Sequence, residues 1–227
     1  MTPTTNTPAD IRLVIFDFGN VICRFDYLIF CARLAERVGW STEEIHATVH
    51  EGGLQADFES GRLTGPEYHR RVMDLVGARG ADVGSGAGRN DAAGRHVAYD
   101  EFVPMYGDIF TEIPGTVALL RQLATRYPLY LLSDTNEIHF GFVRKTMDVV
   151  GIFDELILSY EMGVMKPHPR IYAEALRRSG VSADACVFID DRLPNVEGAR
   201  QVGIHGIHFR SPDQCATDLR QLGVKVS

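Results

Sequence analysis

The sequence predicts an α/β protein, a doubly wound parallel sheet with an inserted block of helices. Three observations predict it. Short apolar runs end abruptly in polar residues: Leu13 to Phe16 at Asp17, Leu129 to Leu132 at Ser133 and Asp134, Leu156 to Leu158 on the way to Lys166, and Val187 to Ile189 at Asp190 and Asp191. Segments with helical spacing separate these runs. Between the first and second lies a long stretch whose patterns are helical rather than strand-like.

Leu13, Val14, Ile15 and Phe16 are apolar at every position, the composition of a strand buried on both faces of a parallel sheet. The carboxyl ends of such strands open onto the crevice where these sheets bind ligands. A buried carboxylate there is expensive unless paired, so Asp17 is a candidate reacting group. Gly19 and Asn20 suit the tight turn that follows. The stretch from 24 to 104 is read as a helical insertion, with 11–23 and 105–227 forming the α/β core and 1–10 a flexible leader. Ser41 with Glu44, and Thr64 with Glu67, have the spacing of reciprocal helix caps. Gly61 ends the helix that contains Phe58. Residues 77–94 are rich in Gly and Ala without apolar periodicity, which predicts a loop. Phe25, Tyr27 and Phe30 are read as hinge packing. Arg24, Tyr27, His46, His50 and Tyr68 are candidates to touch a substrate.

Further along, Val117, Leu120 and Leu123 share one helical face. A second helix is expected from Phe142 to Val150 and a third around Ile171, Ala175 and Leu176. Each polar terminus has an ordinary explanation by itself. An Asp after an apolar run caps or turns the chain, a Lys is solvated, and paired acids begin a helix. Their joint placement points further: parallel strands send all of these ends to one edge, where residues more than a hundred positions apart become neighbours.

With 227 residues, 45% of them hydrophobic, the chain can bury one sizeable core plus an insertion. A formal charge of −7 argues against a general nucleic-acid binder, which needs a concentrated basic surface. A small anionic substrate must be held by local groups against that field. Cys23, Cys31, Cys186 and Cys215 have neither zinc nor redox spacing and are expected to be buried, reduced thiols. The N-terminal MTPTTNTPAD has no apolar core, so neither a signal peptide nor a membrane span is expected there. A cytoplasmic monomer or homodimer with no nucleic-acid or membrane partner fits these features. His205 and His208, three apart in an expected strand, point to opposite faces and form no metal cluster.

The segments VIFDFGNV, YLLSDTN, MGVMKPHPRIY and VFIDDRLPNVEGAR resemble, in order, the four motifs of the haloacid dehalogenase superfamily, over most of the chain. The insertion after the first motif resembles the helical cap of its subfamily IA. The wording DFGNV, KPHPRIY and FIDDRLPN is similar to bacterial sugar phosphatases acting on glucose 1-phosphate. The resemblance implies a Rossmann-like core and a Mg2+-dependent phosphatase of small phosphorylated metabolites. It makes Asp17 the nucleophile of an aspartyl-phosphate mechanism and Lys166 its charge-stabilising partner. Ser133, Asp134, Asn20 and Lys166, with neighbouring backbone, bind phosphate. Asp17, the Gly19 carbonyl and Asp191 hold the magnesium, with Asp190 behind them.

The chemistry of these residues agrees with that implication. Phosphoryl transfer depends on positioning and charge neutralisation, and magnesium takes hard oxygen ligands. Pro167 and Pro169 restrict the backbone beside Lys166. Ser133 to Asn136 form a strand-to-helix turn whose amides can hold an anion, unless Asp134 caps that helix.

One position departs from the family pattern. Phosphatases of this type usually carry an acid two residues after the nucleophile, and here Gly19 stands in its place. Positioned proton transfer contributes about 10²–10⁴ in rate, so substrates with easily expelled oxygens are expected, and a mutase is disfavoured. Asp26, Asp190 or a residue of the insertion is then left to activate water. Two rival readings follow. A 2-haloacid dehalogenase fits Gly19 but not the repulsive pair Asp190 and Asp191. A catalytically weakened binding or sensor protein fits the missing acid.

Overall fold

The computed structural model describes residues 10–50, 53–82 and 96–226, apart from the side chains at 50 and 79–82. In chain order the first elements are β1 (Leu13–Phe16), β2 (Cys23–Phe25), α1 (Tyr27–Val38), α2 (Thr42–His50), α3 (Leu54–Glu59), α4 (Gly65–Asp82) and α5 (Tyr99–Gly107). There follow β3 (Phe110–Glu112), α6 (Pro114–Leu123), β4 (Leu129–Ser133), α7 (Glu137–Thr146), β5 (Glu155–Leu158), α8 (Ser159–Met162) and α9 (Pro169–Ser179). The chain closes with β6 (Cys186–Asp190), α10 (Leu193–Gln201), β7 (His205–His208) and α11 (Pro212–Gln221). Contacts divide it into two compact units, one of residues up to 24, 111–134 and 148 onward, the other of 25–110 and 135–147.

The first unit is built on a five-stranded sheet in the order β5-β4-β1-β6-β7 with parallel pairing throughout. Val14 sits opposite Leu129 on one side and Val187 on the other, so β1 is the central strand. Every residue of β1, β4 and β6 is buried, as continuous apolar runs in a doubly covered sheet require. On one face Leu13, Ile15, Leu132 and Phe188 pack with Ile171, Tyr172 and Ala175 of α9 and Ala199 of α10. Each large apolar side chain so buried contributes about 1.5–3 kcal/mol. The Tyr172 hydroxyl donates to the Asn195 carbonyl at 2.8 Å, fastening α9 to α10. The parallel α/β architecture read from the sequence is the one observed.

In the second unit, helices bury Phe30, Leu34, Phe58, Tyr68, Val72, Phe102 and Tyr106 together. Ser41 and Glu44 exchange backbone-to-side-chain hydrogen bonds at 2.9 and 3.2 Å, and Thr64 and Glu67 do so at 2.9 and 3.4 Å. Gly61 follows α3 with φ of 70°. Phe30 is core, packing edge-on to Tyr106 at 4.9 Å, and Tyr68 stacks on Phe58 at 4.4 Å.

Several local expectations change. Helix α4 continues to Asp82, so 77–82 are helical rather than loop, while 83–95 lie outside the described residues, as do leader residues 1–9. Two short strands, β2 and β3, form a separate two-stranded sheet that the sequence did not announce. The helix expected from Phe142 to Val150 runs instead from Glu137 to Thr146, and a 3-10 turn takes over from Asp148 to Ile152. Its segment, 135–147, groups with the second unit rather than the core. The reason is specific. The His139 ring stacks on Tyr106 at 4.1 Å and hydrogen-bonds the Tyr106 carbonyl at 3.1 Å. All four cysteines are buried and free. No helix among the described residues is long and apolar enough to cross a membrane.

Candidate active site

The candidate reacting groups lie in the first unit, at or beyond the carboxyl ends of its strands. The Asp17 amide donates to the Ile189 carbonyl at 2.9 Å, which holds Asp17 in register with the end of β6. The chain then turns tightly, with the Ile22 and Cys23 amides both bonded to the Phe18 carbonyl at 2.9 and 3.1 Å. At Asn20 the backbone is left-handed, φ 55°, a conformation that Asn tolerates better than most side chains. From there the Asn20 side-chain Nδ2 donates to Asp191 Oδ2 at 3.2 Å and ties the first turn to the β6 end.

Lys166 arrives from the loop before α9, where the Lys166–Pro167 peptide bond is cis. Its Nζ donates to Asp17 Oδ1 at 2.6 Å, Asp190 Oδ2 at 2.9 Å and the Leu132 carbonyl at 3.0 Å. An ammonium has three protons, so every donor is committed. The Lys166 amide is held in turn by Asp134 Oδ1 at 2.9 Å. Asp134 therefore does not cap α7, as one reading of the sequence allowed. Asn136 does, its Oδ1 accepting from the His139 amide at 3.0 Å. Ser133 is buried at the end of β4, with its hydroxyl 3.4 Å from the Asp134 carbonyl.

Asp190 is fully enclosed. Its two oxygens accept from the Arg192 amide at 2.8 Å, from Asn195 Nδ2 at 3.1 and 3.0 Å, and from Lys166. A ring nitrogen of His208 sits 2.9 Å from the Asp191 carbonyl. Asn195 and His208 are the positioning residues that sequence reasoning missed. Asn195 stood in the quoted FIDDRLPN, and its amide was the available signal.

Asp17, Asp190 and Asp191 each place a carboxylate oxygen within 4.8 Å of the others. Burial pushes the Asp17 carboxyl up to about 7, with Lys166 pulling against it and Asp190 adding to it. Burial also raises Asp134 and Asp191. For Lys166 burial acts downward, but Asp17, Asp190 and Asp134 outweigh it and drive the ammonium's pKa up. Four carboxyl groups thus gather around one ammonium, and one of their oxygens, Asp134 Oδ2, is buried with no hydrogen-bond partner. Surplus negative charge in a dry site is costly, and a hard divalent cation offsets it. The donor set fits magnesium.

Asp26, a candidate to activate water, is exposed and caps α1, accepting from the Leu28 amide at 2.9 Å. Of the candidate substrate contacts, Arg24 is exposed, Tyr27 and His46 are half-buried and Tyr68 is core. His50's side chain lies outside the described set.

One glycine bears on Lys166 indirectly. A Cβ built at Gly198 of α10 would stand 2.8 Å from Pro167 Cβ and 3.1 Å from the Pro167 carbonyl oxygen. Gly198→Ala is therefore expected to push the Lys166 loop outward and lower kcat/KM by about tenfold or more, since sub-ångström displacement of a reacting group is costly. Steady-state kinetics beside a thermal melt would check it. An unchanged kcat/KM would mean the loop absorbs the methyl without moving Lys166.

The family profile described as "Hydrolase: haloacid dehalogenase-like hydrolase" matches residues 11–203. The chain is 24% identical over 201 residues to D-ribitol-5-phosphate phosphatase of Bacteroides thetaiotaomicron, covering 85% of this chain and 89% of that protein. It is 43% identical over 127 residues to flavin mononucleotide hydrolase 1 of Arabidopsis thaliana, covering 52% of this chain and 48% of the plant protein. In structure it is similar to a HAD-family enzyme of Bacteroides thetaiotaomicron solved with magnesium and inorganic phosphate. The TM-score is 0.73 at 23% identity, covering 88% of this chain and 94% of that one.

Proposed function

The chain belongs to the haloacid dehalogenase-like hydrolases, and from that premise we propose that it is a magnesium-dependent phosphatase of small phosphorylated metabolites, acting in the cytoplasm as a monomer or homodimer. The observation that carries this reading is the triple commitment of Lys166 Nζ to Asp17, Asp190 and the β4 backbone. It leaves Asp17 Oδ1 tethered and directs the other oxygen toward chemistry.

In the first step that oxygen attacks phosphorus, the ester oxygen leaves with its electron pair, and an aspartyl phosphate forms. In the second, water attacks phosphorus, the acyl-phosphate bond breaks, and inorganic phosphate leaves while the Asp17 carboxylate is restored. Lys166 holds Asp17 in line and offsets charge during both steps. Ser133, Asn20 and the backbone at Asp134 bind the phosphoryl oxygens. Asp17, the Gly19 carbonyl and Asp191 would hold magnesium, with Asp190 fixed behind them by Asn195. When bound, the ion supplies positive charge opposite the phosphoryl oxygens. Free, buried cysteines suit a reducing compartment. The phosphatase name of the Bacteroides relative supports the reaction class.

The finer reading, a subfamily IA enzyme preferring an anomeric sugar phosphate such as glucose 1-phosphate, rests on Gly19. Without an acid there, Asp190 or a residue of the helical insertion must handle the proton, and Asp190 is already saturated with hydrogen bonds. Good leaving groups are favoured. A panel of phosphate esters graded by leaving-group acidity, with and without magnesium, tests this: aryl and anomeric esters are expected to exceed ordinary alkyl esters by about 10²–10⁴. A flat profile would remove the role assigned to Gly19, and phosphate release indifferent to chelator would remove the metal.

Gly19 also favours a second reading, hydrolysis at carbon as in a 2-haloacid dehalogenase. Asp190 and Asp191 oppose it, because carboxylates facing a substrate carboxylate and a departing halide repel both. Chloride release from 2-chloropropionate in chelator would establish it.

A further inference from the structure

We propose that the first unit carries a second anion site, remote from Asp17, that takes a small metabolite bearing two or more phosphate groups. The site is an open surface cavity of about 310 Å³ lined by the exposed residues Arg121, Gln122, Thr125, Arg126 and Lys225.

Its position follows from the topology. Helix α6 ends at Leu123 and the chain re-enters the sheet at Leu129, the first residue of β4. The cavity therefore lies by the amino edge of the sheet, whereas Asp17, Ser133 and Asp190 mark the carboxyl edge. The length of β4, five residues or about 16 Å at strand rise, separates the two. The cavity and the reacting groups are both built from first-unit residues. The C-terminal segment is fastened there by the Lys225 amide, which donates to the Tyr127 hydroxyl at 2.9 Å.

The charge at this cavity is unusual for the protein. Across the chain 30 acidic residues outnumber 23 Lys and Arg, yet three cations converge here. Among the described residues no carboxylate lies within ion-pair distance of Arg121, Arg126 or Lys225. The helix dipole accounts for one of them, since Arg121 lies in the last turn of α6 where a cation is favoured. Arg126 and Lys225 lie beyond the helix and have no such explanation.

The lining also names the ligand class. Two guanidinium forks match phosphate oxygens bidentately, and an ammonium adds a compact charge. The Gln122 amide and Thr125 hydroxyl offer neutral hydrogen bonds, although the hydroxyl already donates to the Gln122 carbonyl at 2.8 Å. The volume is at the lower end for small-molecule sites. It suits a compact polyanion better than an extended chain, and three positive charges suit a diphosphate better than a monophosphate.

Inorganic pyrophosphate is the probe, titrated calorimetrically into the full chain in magnesium-free buffer at two salt concentrations. One-to-one binding is expected, weakening as salt rises. Arg121→Gln/Arg126→Gln/Lys225→Gln is expected to weaken it about a hundredfold, while kcat/KM on a good ester substrate stays unchanged. A control triple at exposed cations elsewhere, Lys145→Gln/Arg170→Gln/Arg210→Gln, is expected to keep it within about twofold. The proposal is overturned if the cavity triple binds as well as the parent, or if the control triple loses as much. It is also overturned if citrate binds as tightly as pyrophosphate, which would mean charge alone is read. Tighter capture of a single-stranded oligonucleotide would point instead to a nucleic-acid surface.

Discussion

Asp17→Asn is expected to abolish turnover, by at least about 10⁴-fold, while leaving the protein folded and, without metal, no less stable. The loss follows from chemistry: a carboxamide oxygen is a poor nucleophile, and groups acting as a unit are not replaced by their neighbours. The retained stability follows from the burial that pushes the Asp17 carboxyl up to about 7. A buried charge disfavoured to that extent is removed by the substitution, while Lys166 keeps Asp190 and the Leu132 carbonyl. The sign of the pH effect is the same. Between the ordinary carboxylate value of 3.8 and about 7, the folded protein holds a proton at Asp17 that the unfolded chain has released. This group's contribution to metal-free stability therefore falls as pH rises through that window. Activity needs the ionised acid, and a bound cation favours that form, so kcat/KM of the magnesium-loaded parent is expected to reach its plateau below the pH at which the metal-free acid ionises. A pH–rate profile and denaturant melts of both proteins check the pair of effects. Substantial turnover by the Asn protein would overturn the assignment of Asp17.

Lys166→Met is expected to damage both stability and rate. Lys166 Nζ lies 2.6 Å from one buried carboxylate and 2.9 Å from another, with its own side chain almost wholly enclosed. Taking away the shared cation leaves Asp17 and Asp190 either charged without a counter-ion or forced to take up a proton in a dry site, and breaking such a pair costs about 3–5 kcal/mol. The Met side chain also leaves the Leu132 carbonyl without its ammonium donor. Adding Asp190→Asn should recover part of that stability by removing one stranded charge, without restoring turnover. Denaturant titration separates the two effects. A single-variant loss below about 1 kcal/mol would show that magnesium or water, rather than Lys166, balances these acids.

The strands were legible because β1, β4 and β6 are apolar at nearly every position, a pattern that only a sheet covered on both faces explains. The convergence of Asp17 and Asp190 followed from parallel direction, whereas Lys166, beyond α8, reaches them from a loop whose backbone Asp134 holds. Other features depended on long-range contacts that carry no local period. Nothing in the apolar spacing around Phe142 indicates that His139 will stack on Tyr106 and draw α7 into the second unit. Asp134 reads from the sequence as a phosphate-binding residue or a helix cap, and only the folded chain shows it clamping the Lys166 amide. Asn195 looks like any polar residue in the first turn of a helix until its amide is seen bridging both oxygens of Asp190. The glycines at 77 and 80 suggested a loop, yet α4 runs past both, since packing outweighs a propensity penalty of about 1 kcal/mol per glycine.

The placement of β1 between β4 and β6 has a consequence for wear. Local opening is cheapest where the fewest contacts hold an element, and β5 and β7 each carry one ladder whereas β1 carries two. The acid proposed to react follows directly on that middle strand, so local opening at the margins leaves its mounting paired on both sides.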